Sequence, residues 1–412
     1  MISEMVTSLS ACRLSRAQPR RKIYTPSNLP GLCYRPDSGH EVVSHDFYGS
    51  VMRQMAQWTR QDFEANPALG LAVLILFCYA ESSMGTFKAY WVHSSGTTQL
   101  IHSYAAKMLS AYPRGVELLA AWVEIEMQMW WRRLYLSTPD FQLQHHILAL
   151  DSKLEYIMRA QNRKSFVLLV LCESQRLSNV AIISHWAKHL SGSDQNANIM
   201  SKELSEASIS DFNALLAVQG EKLDTWQAPA PIIDEAAGRA FNASGDQAEL
   251  QVQPLHFESH TSALGYAYYI TARVMQCPGP LESLALSDAY AISQSYGQVE
   301  AWILVLLRVA AGIDWHSCIR LNVYSIGLSS LLLACILRSH TPNIGLWMER
   351  WLESQMEEGT FEEGSFPVFQ TLEIIRLINR ERGKGLDIFA PFQTEDDGRK
   401  GHSIHIAKTY NA

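Results

Sequence analysis

The sequence predicts an all-α protein, a multi-helix orthogonal or solenoid-like bundle made of two helical halves. Apolar residues recur at steps of three and four along most of the chain, the period of a helix that buries one face. No segment shows the alternation that is typical of a strand, and no short-period repeat occurs. A stretch rich in Pro and Gly, about residues 228–256, predicts a long loop that joins the two halves.

The predicted elements follow an irregular start. Residues 1–45 carry Pro, Ser, Gly and Arg without periodicity, so we expect a disordered basic arm there. A helical domain is expected over residues 46–385 and a polar tail over 386–412. Within the domain, Pro67 begins an apolar helix that ends near Glu81, and another helix is expected after Gly96. Further helices are predicted at 114–136, 142–159, 165–190, 199–226, 259–275, 287–311, 318–339, 345–356 and 366–382.

The composition is that of an ordinary globular protein. The chain has 412 residues, 47% hydrophobic and 18% charged, enough for one large core or two moderate ones. Its net charge of -7 argues against a nucleic-acid surface over the whole protein, because phosphate binding requires clustered Lys and Arg. We recognise no secretory leader and no apolar run of the ~18 residues that a membrane span needs, so we expect no membrane contact.

The cysteines are too widely spaced for a metal or disulfide framework. There are seven, and no two of them form a C-x2-C pair. Several lie in apolar runs, which predicts reduced, buried thiols. We therefore expect neither a metal nor a cofactor. The cysteines are Cys12, Cys33, Cys78, Cys172, Cys277, Cys318 and Cys335.

Two stretches contain the candidate ligand-binding residues. Glu81, Trp91 and His93 lie in "CYAESSMGTFKAYWVHSSG", and Asp314 and His316 lie in "GIDWHSC". The first stretch has no nucleophile elbow, and neighbouring helix residues point in different directions, so we assign no catalytic residue. The second stretch has no partner pair with the spacing of zinc ligands. Both stretches have a second interpretation, in which these residues are structural.

Two charged runs have two interpretations each. The cluster "RAQPRRK", with Arg20, Arg21 and Lys22, is either a nuclear import signal or a solvated basic tail. Four glutamates over residues 357–363 favour a solvated loop. The alternative is that this acidic loop binds a basic protein partner.

Three stretches, taken in order, resemble the regulatory domain of fungal zinc-cluster transcription factors over about residues 45–390. They are "LAVLILFCYAESSMGTFKAYWVHSSGTTQLI", "KLDTWQAPAP" and "WMERWLESQMEEGTFEEGSFPVFQTLEIIRLINRERGKGLD". In that family an apolar helix ends in Glu, here Glu81, before a Trp-x-x-His-x-x-Gly turn. Trp91, His93 and Gly96 resemble that turn, with one residue fewer between Trp and His. The resemblance implies that Gly96 permits a close helix approach, that Trp91 fills the core, and that Glu81 and His93 form hydrogen bonds.

The chain departs from this family before its helical domain. Such factors usually begin with six cysteines that bind two zinc ions, whereas this sequence has only Cys12 and Cys33 before Cys78. The resemblance therefore implies a nuclear, transcription-factor-like regulator without direct sequence-specific DNA binding. It would act through protein partners or a homodimer on a fungal metabolic gene set, such as one for secondary metabolism.

An alternative function stays open on the same scaffold. Aromatic and polar residues in "AYYITARVMQC" and "GIDWHSC" suggest a pocket for a small-molecule effector or substrate. That interpretation describes a small-molecule-binding protein or an enzyme of secondary metabolism, located in the cytoplasm. The sequence favours the regulatory, non-enzymatic role and leaves the enzymatic one open.

Overall fold

Helices make up most of the described chain, so the predicted all-α fold is confirmed. The computed structural model describes residues 1–17, 20–24, 31–35, 37–84, 87–111, 115–135, 162–190, 209–226, 250–285, 294–357, 362–364, 366–393 and 404–410. The helices are α1 (Ile2–Ala17), α2 (Ser38–Met55), α3 (Arg60–Ala65), α4 (Pro67–Met84), α5 (Phe87–Ala111), α6 (Gly115–Tyr135), α7 (Arg163–Leu190), α8 (Ile209–Asp224), α9 (His260–Gln276), α10 (Gly279–Glu282), α11 (Gly297–Gly312), α12 (Trp315–Leu321), α13 (Leu328–Ile336), α14 (Pro342–Glu357) and α15 (Val368–Arg382).

Three short antiparallel hairpins accompany the helices, although the sequence predicted no strand. The pairs are β1 (Arg20–Tyr24) with β2 (Gly31–Arg35), β3 (Glu362–Glu363) with β4 (Phe366–Pro367), and β5 (Leu386–Gln393) with β6 (Ile404–Tyr410). Each pair is a separate two-stranded sheet, and β3, β4 and β5 also contact α15. The last hairpin occupies most of the segment expected to be a polar tail.

The expected disordered arm is wrong for residues 2–17 and 38–45, which are helical. Helix α1 packs against α2 and α4, and its Met5 and Cys12 are buried. The buried Ser8 hydroxyl donates to the Ser44 carbonyl at 2.8 Å. Small and polar residues supply much of this buried face, which is why no apolar period marks the helix in the sequence.

The chain divides into two compact units. Unit 1 comprises Met1–Met129, Leu150–Ser165 and Thr394–Ser403, and unit 2 comprises Trp130–Ala149, Phe166–Gln393 and Ile404–Ala412. The chain first passes from one unit to the other within α6. Residues 228–249 of the loop predicted at 228–256 lie outside the described residues. The helix predicted at 142–159 lies outside them entirely.

Helix α4 supplies much of the core of unit 1. Pro67 is its first residue, as predicted, and Val73 and Phe77 pack with Met5 of α1 and Val51 of α2. Helix α5 forms a helical hairpin with α4. The turn expected at Trp91–Gly96 is wrong, because α5 runs through it without interruption.

Gly96 does not require a special backbone conformation or a close helix approach. A Cβ built on it would lie 3.8 Å from the Leu74 methyl groups, an ordinary contact distance. The role in a close helix approach that the family resemblance implies for Gly96 is therefore wrong.

In unit 2, α9 packs against α8, α11 and α13, and α15 packs against α13 and α14. The single helix predicted at 318–339 is in fact two helices, α12 and α13. Asn322 ends α12, and α13 begins after Gly327. Gly327 has no side chain to cap α13, so the exposed N–H groups of that helix start need another acceptor.

Glu363 is that acceptor. Its carboxylate receives the N–H of Leu328 at 2.6 Å, the N–H of Ser329 at 2.8 Å and the Asn322 amide at 2.6 Å. A Cβ at Gly327 would overlap this carboxylate. Glu363 is fully buried, so the prediction that the whole acidic run is solvated is wrong for this residue. A negative charge at a helix N-terminus is also favoured by the helix dipole.

Two described helices are long and apolar enough to cross a membrane, by length and composition alone. They are Pro67–Met84 and the part of α7 over Arg163–Ile183, and the bent pair α11–α12 would count as a third span. In the structure 61% of the first window and 83% of the second are buried within the protein. Protein contacts therefore cover most of both surfaces.

We predict that Glu363→Ala destabilises unit 2 by about 2–4 kcal/mol, because two buried backbone N–H groups lose their acceptor. Hydrogen exchange of the α13 amides measures the loss. Glu373→Ala is the matched control, since Glu373 is exposed on α15 and forms a surface ion pair with Arg376. Equal protection of α13 in the two variants would contradict the capping role.

Candidate functional site

Three polar side chains meet inside unit 1, and we call them the Tyr48 relay. Glu81 of α4 and His93 of α5 are 3% and 7% exposed, and Tyr48 reaches them from α2. The Tyr48 hydroxyl donates to Glu81 Oε1 and lies 2.7 Å from His93 Nε2. The relay thus joins three helices through one hydroxyl group.

The single hydroxyl proton determines the tautomer of His93. Because Tyr48 donates its proton to Glu81, its oxygen must accept a proton from His93, which places that proton on Nε2. Burial lowers the pKa of His93, although the charge of Glu81 acts in the opposite direction. His93 Nε2 and Glu81 Oε1 are 3.8 Å apart, too far for a hydrogen bond. We therefore assign a neutral His93 and a hydrogen-bonded relay rather than an ion pair.

An aromatic ring, that of Phe77, packs against the relay. The Phe77 ring stacks on His93 with centroids 4.8 Å apart, and Tyr48 meets Phe77 edge-on at 4.9 Å. Burial and the bond to Glu81 also raise the pKa of Tyr48, so its hydroxyl stays protonated. Trp91 packs elsewhere in unit 1, edge-on against Tyr90 at 5.2 Å, and it is only partly buried.

A second buried carboxylate, that of Glu126, lies beside Ser94, the residue that follows His93 on α5. We call Glu126, Ser94 and Tyr90 the Glu126 cluster. Ser94 donates to Glu126 Oε1 at 2.6 Å, and the Tyr90 hydroxyl donates to the same oxygen at 3.4 Å. Burial raises the pKa of Glu126 to about 7, although the two hydroxyl groups lower it. His93 thus bonds to Tyr48 and Ser94 to Glu126, so these neighbours on α5 point in different directions.

Asp314 and His316 belong to unit 2, whereas Glu81, Trp91 and His93 belong to unit 1. Asp314 is the N-cap of α12 and accepts from the N–H groups of His316 and Ser317, both at 3.2 Å. The Ser317 hydroxyl also donates to it at 2.6 Å, and these bonds hold the pKa of Asp314 below its usual range. His316 is exposed. A capping carboxylate explains this Asp without a ligand.

The remaining sequence candidates concern charge and metals. Arg20, Arg21 and Lys22 lie on β1, opposite Arg35, Tyr34 and Cys33 of β2. In the described chain, six cysteines are buried thiols, at positions 12, 78, 172, 277, 318 and 335. In the part of the chain that the structure describes, no group of three or more His, Cys, Asp or Glu could hold a metal ion.

No family model matches this chain, and neither a curated protein nor a solved structure matches it.

Sequence analysis missed Tyr48, Glu126 and Glu363. Tyr48 falls on the apolar period of α2, which predicts a core residue and conceals its hydrogen bonds. Glu126 lies within the apolar run of α6, and a carboxylate in such a run is a signal that a buried polar partner exists. The partner of Glu363 is 35 residues away in sequence, so no local pattern could have identified it.

We predict that Tyr48→Phe destabilises the α4–α5 hairpin by about 2–3 kcal/mol, because Glu81 loses a donor and His93 loses its acceptor. Hydrogen exchange of the α4 and α5 peptides reports the change. Tyr104→Phe provides the control, since Tyr104 is a half-buried tyrosine of α5. If Tyr48→Phe lowers the stability of the hairpin no more than Tyr104→Phe does, the Tyr48 relay does not stabilise it.

We predict that Asp314→Ala lowers stability by about 1 kcal/mol, whereas Asp314→Asn has almost no effect, because Asn is as good an N-cap as Asp. Thermal unfolding of both variants tests this. A loss of the same size in Asp314→Asn would show that the charge, rather than the cap, is what the protein needs at this position.

Proposed function

We propose that this chain is a transcription-factor-like regulatory protein without its own zinc-cluster module, acting through protein partners on a fungal metabolic gene set. The proposal starts from the resemblance over residues 45–390. The observation that carries it is the Tyr48 relay, because Glu81 and His93, which carry part of the resemblance, share a partner that links α2, α4 and α5. The resemblance implies such an architectural role for both residues.

The way the polar residues are used supports a regulatory rather than a catalytic role. Glu81 and His93 are buried and hydrogen-bonded within unit 1, and Asp314 caps α12. A catalytic group has to present its reactive atom to a substrate. In these residues the hydrogen-bonding atoms are instead used to position helices.

Exposed apolar side chains support contact with other proteins. In the described chain, six of the eleven exposed large hydrophobic residues lie on α1 and α2. Single exposed apolar residues are common, whereas a concentration on one helical hairpin is typical of protein-binding surfaces. The six residues are Ile2, Val6, Leu14, Val42, Val43 and Met52.

A second candidate function, small-molecule binding, is favoured by an aromatic cluster in unit 2. Tyr269 of α9 stacks against Trp226 at 5.5 Å and meets Trp302 of α11 edge-on at 6.2 Å. Arg273 lies over the Tyr269 ring at 5.1 Å. Tyr269 and Trp302 are partly exposed, so a planar ligand could stack on them.

We predict that deleting the gene lowers a coherent set of transcripts, together with the metabolites that their products make. Transcripts and metabolites are measured in the same cultures of the deletion strain and its parent. Reintroducing the chain with Arg20→Ala, Arg21→Ala and Lys22→Ala should fail to restore the transcripts, because the variant lacks its import signal. The control variant carries Arg53→Ala and Arg60→Ala, two exposed arginines of α2 and α3, and should restore them.

Unchanged transcripts with the loss of one metabolite would contradict the regulatory role and favour the small-molecule one. In that case Tyr269→Ala and Trp302→Ala are the informative variants. They would reproduce the metabolite loss, whereas Asp314→Asn would not.

A further inference from the structure

We propose that Glu126 is the proton-binding element of a pH-operated conformational switch in unit 1. Protonation of Glu126 tightens the contact between α6 and α5, and ionisation loosens it. The proposal concerns the conformation of unit 1 and is independent of the regulatory function proposed above.

The geometry of the Glu126 cluster is that of a buried acid with weak partners. Glu126 is 8% exposed, and in the described chain its hydrogen bonds come from the hydroxyl groups of Ser94 and Tyr90. A hydroxyl stabilises a carboxylate less than a cation does, because only the cation compensates the charge. The neighbouring Glu124 has such a cation, since Lys164 binds it at 2.7 Å.

The surroundings of Glu126 disfavour its charged form. Ile125, Met129 and Cys78 form an apolar cluster with Tyr90 at this point. Burial and, after it, the charge of Glu126 raise the pKa values of Cys78 and Tyr90, so both stay neutral.

The other titratable groups near the Glu126 cluster do not replace a cation. Glu81 is a second negative charge rather than a cation, and like Glu126 it adds to the raised pKa of Cys78. Tyr79 packs against the apolar cluster formed by Cys78, Tyr90, Ile125 and Met129. His93, the residue before Ser94 on α5, is neutral because burial lowers its pKa. Among the described residues, ionisation of Glu126 therefore adds a charge that no paired cation compensates.

The direction of the switch follows from proton linkage. Burial raises the pKa of Glu126 from 4.5 to about 7 in the packed state. Between these two values the packed state holds a proton that the open, hydrated state releases, so the packing is stabilised at low pH. This contribution is complete below pH 4.5 and is lost as the pH rises through about 7. His93 acts in the opposite direction, because its lowered pKa disfavours the packed state below its ordinary value of 6.5.

The test compares hydrogen exchange of the α5 and α6 amides in the wild-type protein and Glu126→Gln, at about pH 6 and pH 8. Gln has the shape of the neutral acid and does not ionise. At each pH the ratio of the two exchange rates cancels the intrinsic pH dependence of exchange and the contribution of His93. We expect the wild-type rate, relative to the variant, to rise about tenfold from pH 6 to pH 8.

Glu124→Gln is the matched control, because Glu124 lies on the same helix and is paired with Lys164. Its ratio to the wild-type protein should not change between the two pH values. Ser94→Ala is a second, independent test, because losing this donor should move the midpoint of the wild-type pH dependence to a higher pH. A constant ratio for Glu126→Gln, or an unchanged midpoint for Ser94→Ala, would overturn the proposal.

Discussion

Glu81 places a carboxylate in the apolar interior of unit 1, where water does not solvate it. A buried charge of this kind is tolerated only with hydrogen-bond donors at fixed positions. Tyr48 is such a donor, and its own oxygen accepts from His93. The positions of α2, α4 and α5 are therefore coupled, because moving any one of them breaks a buried hydrogen bond.

Glu126 and Glu363 are also buried carboxylates that need hydrogen-bond donors, and each has a different set of donors. Glu363 accepts backbone N–H groups and closes the start of α13, so its carboxylate replaces the cap that Gly327 lacks. In the described chain, Glu126 accepts hydrogen bonds only from hydroxyl groups, and burial raises its pKa to about 7. One carboxylate thus fixes a helix end, and another makes helix packing sensitive to protons.

The sequence was sufficient where local pattern determines structure. The apolar run after Pro67 predicted α4, and the separation of His93 from Ser94 followed from helix geometry. It was insufficient where structure depends on distant partners. The break between α12 and α13 requires Glu363, and α1 is buried through small residues that give no apolar period. Tyr48 looked apolar because its ring is, and only the fold brings its hydroxyl to Glu81.

The most direct test of the relay is a double-mutant cycle between Tyr48→Phe and Glu81→Gln. The free energy of opening the α4–α5 hairpin is measured for each variant and for the pair. If the hydrogen bond couples these helices, the two effects will differ from additivity by about 1 kcal/mol or more, as contacting buried groups do. Simple additivity would show that Tyr48 and Glu81 act independently and would contradict the relay.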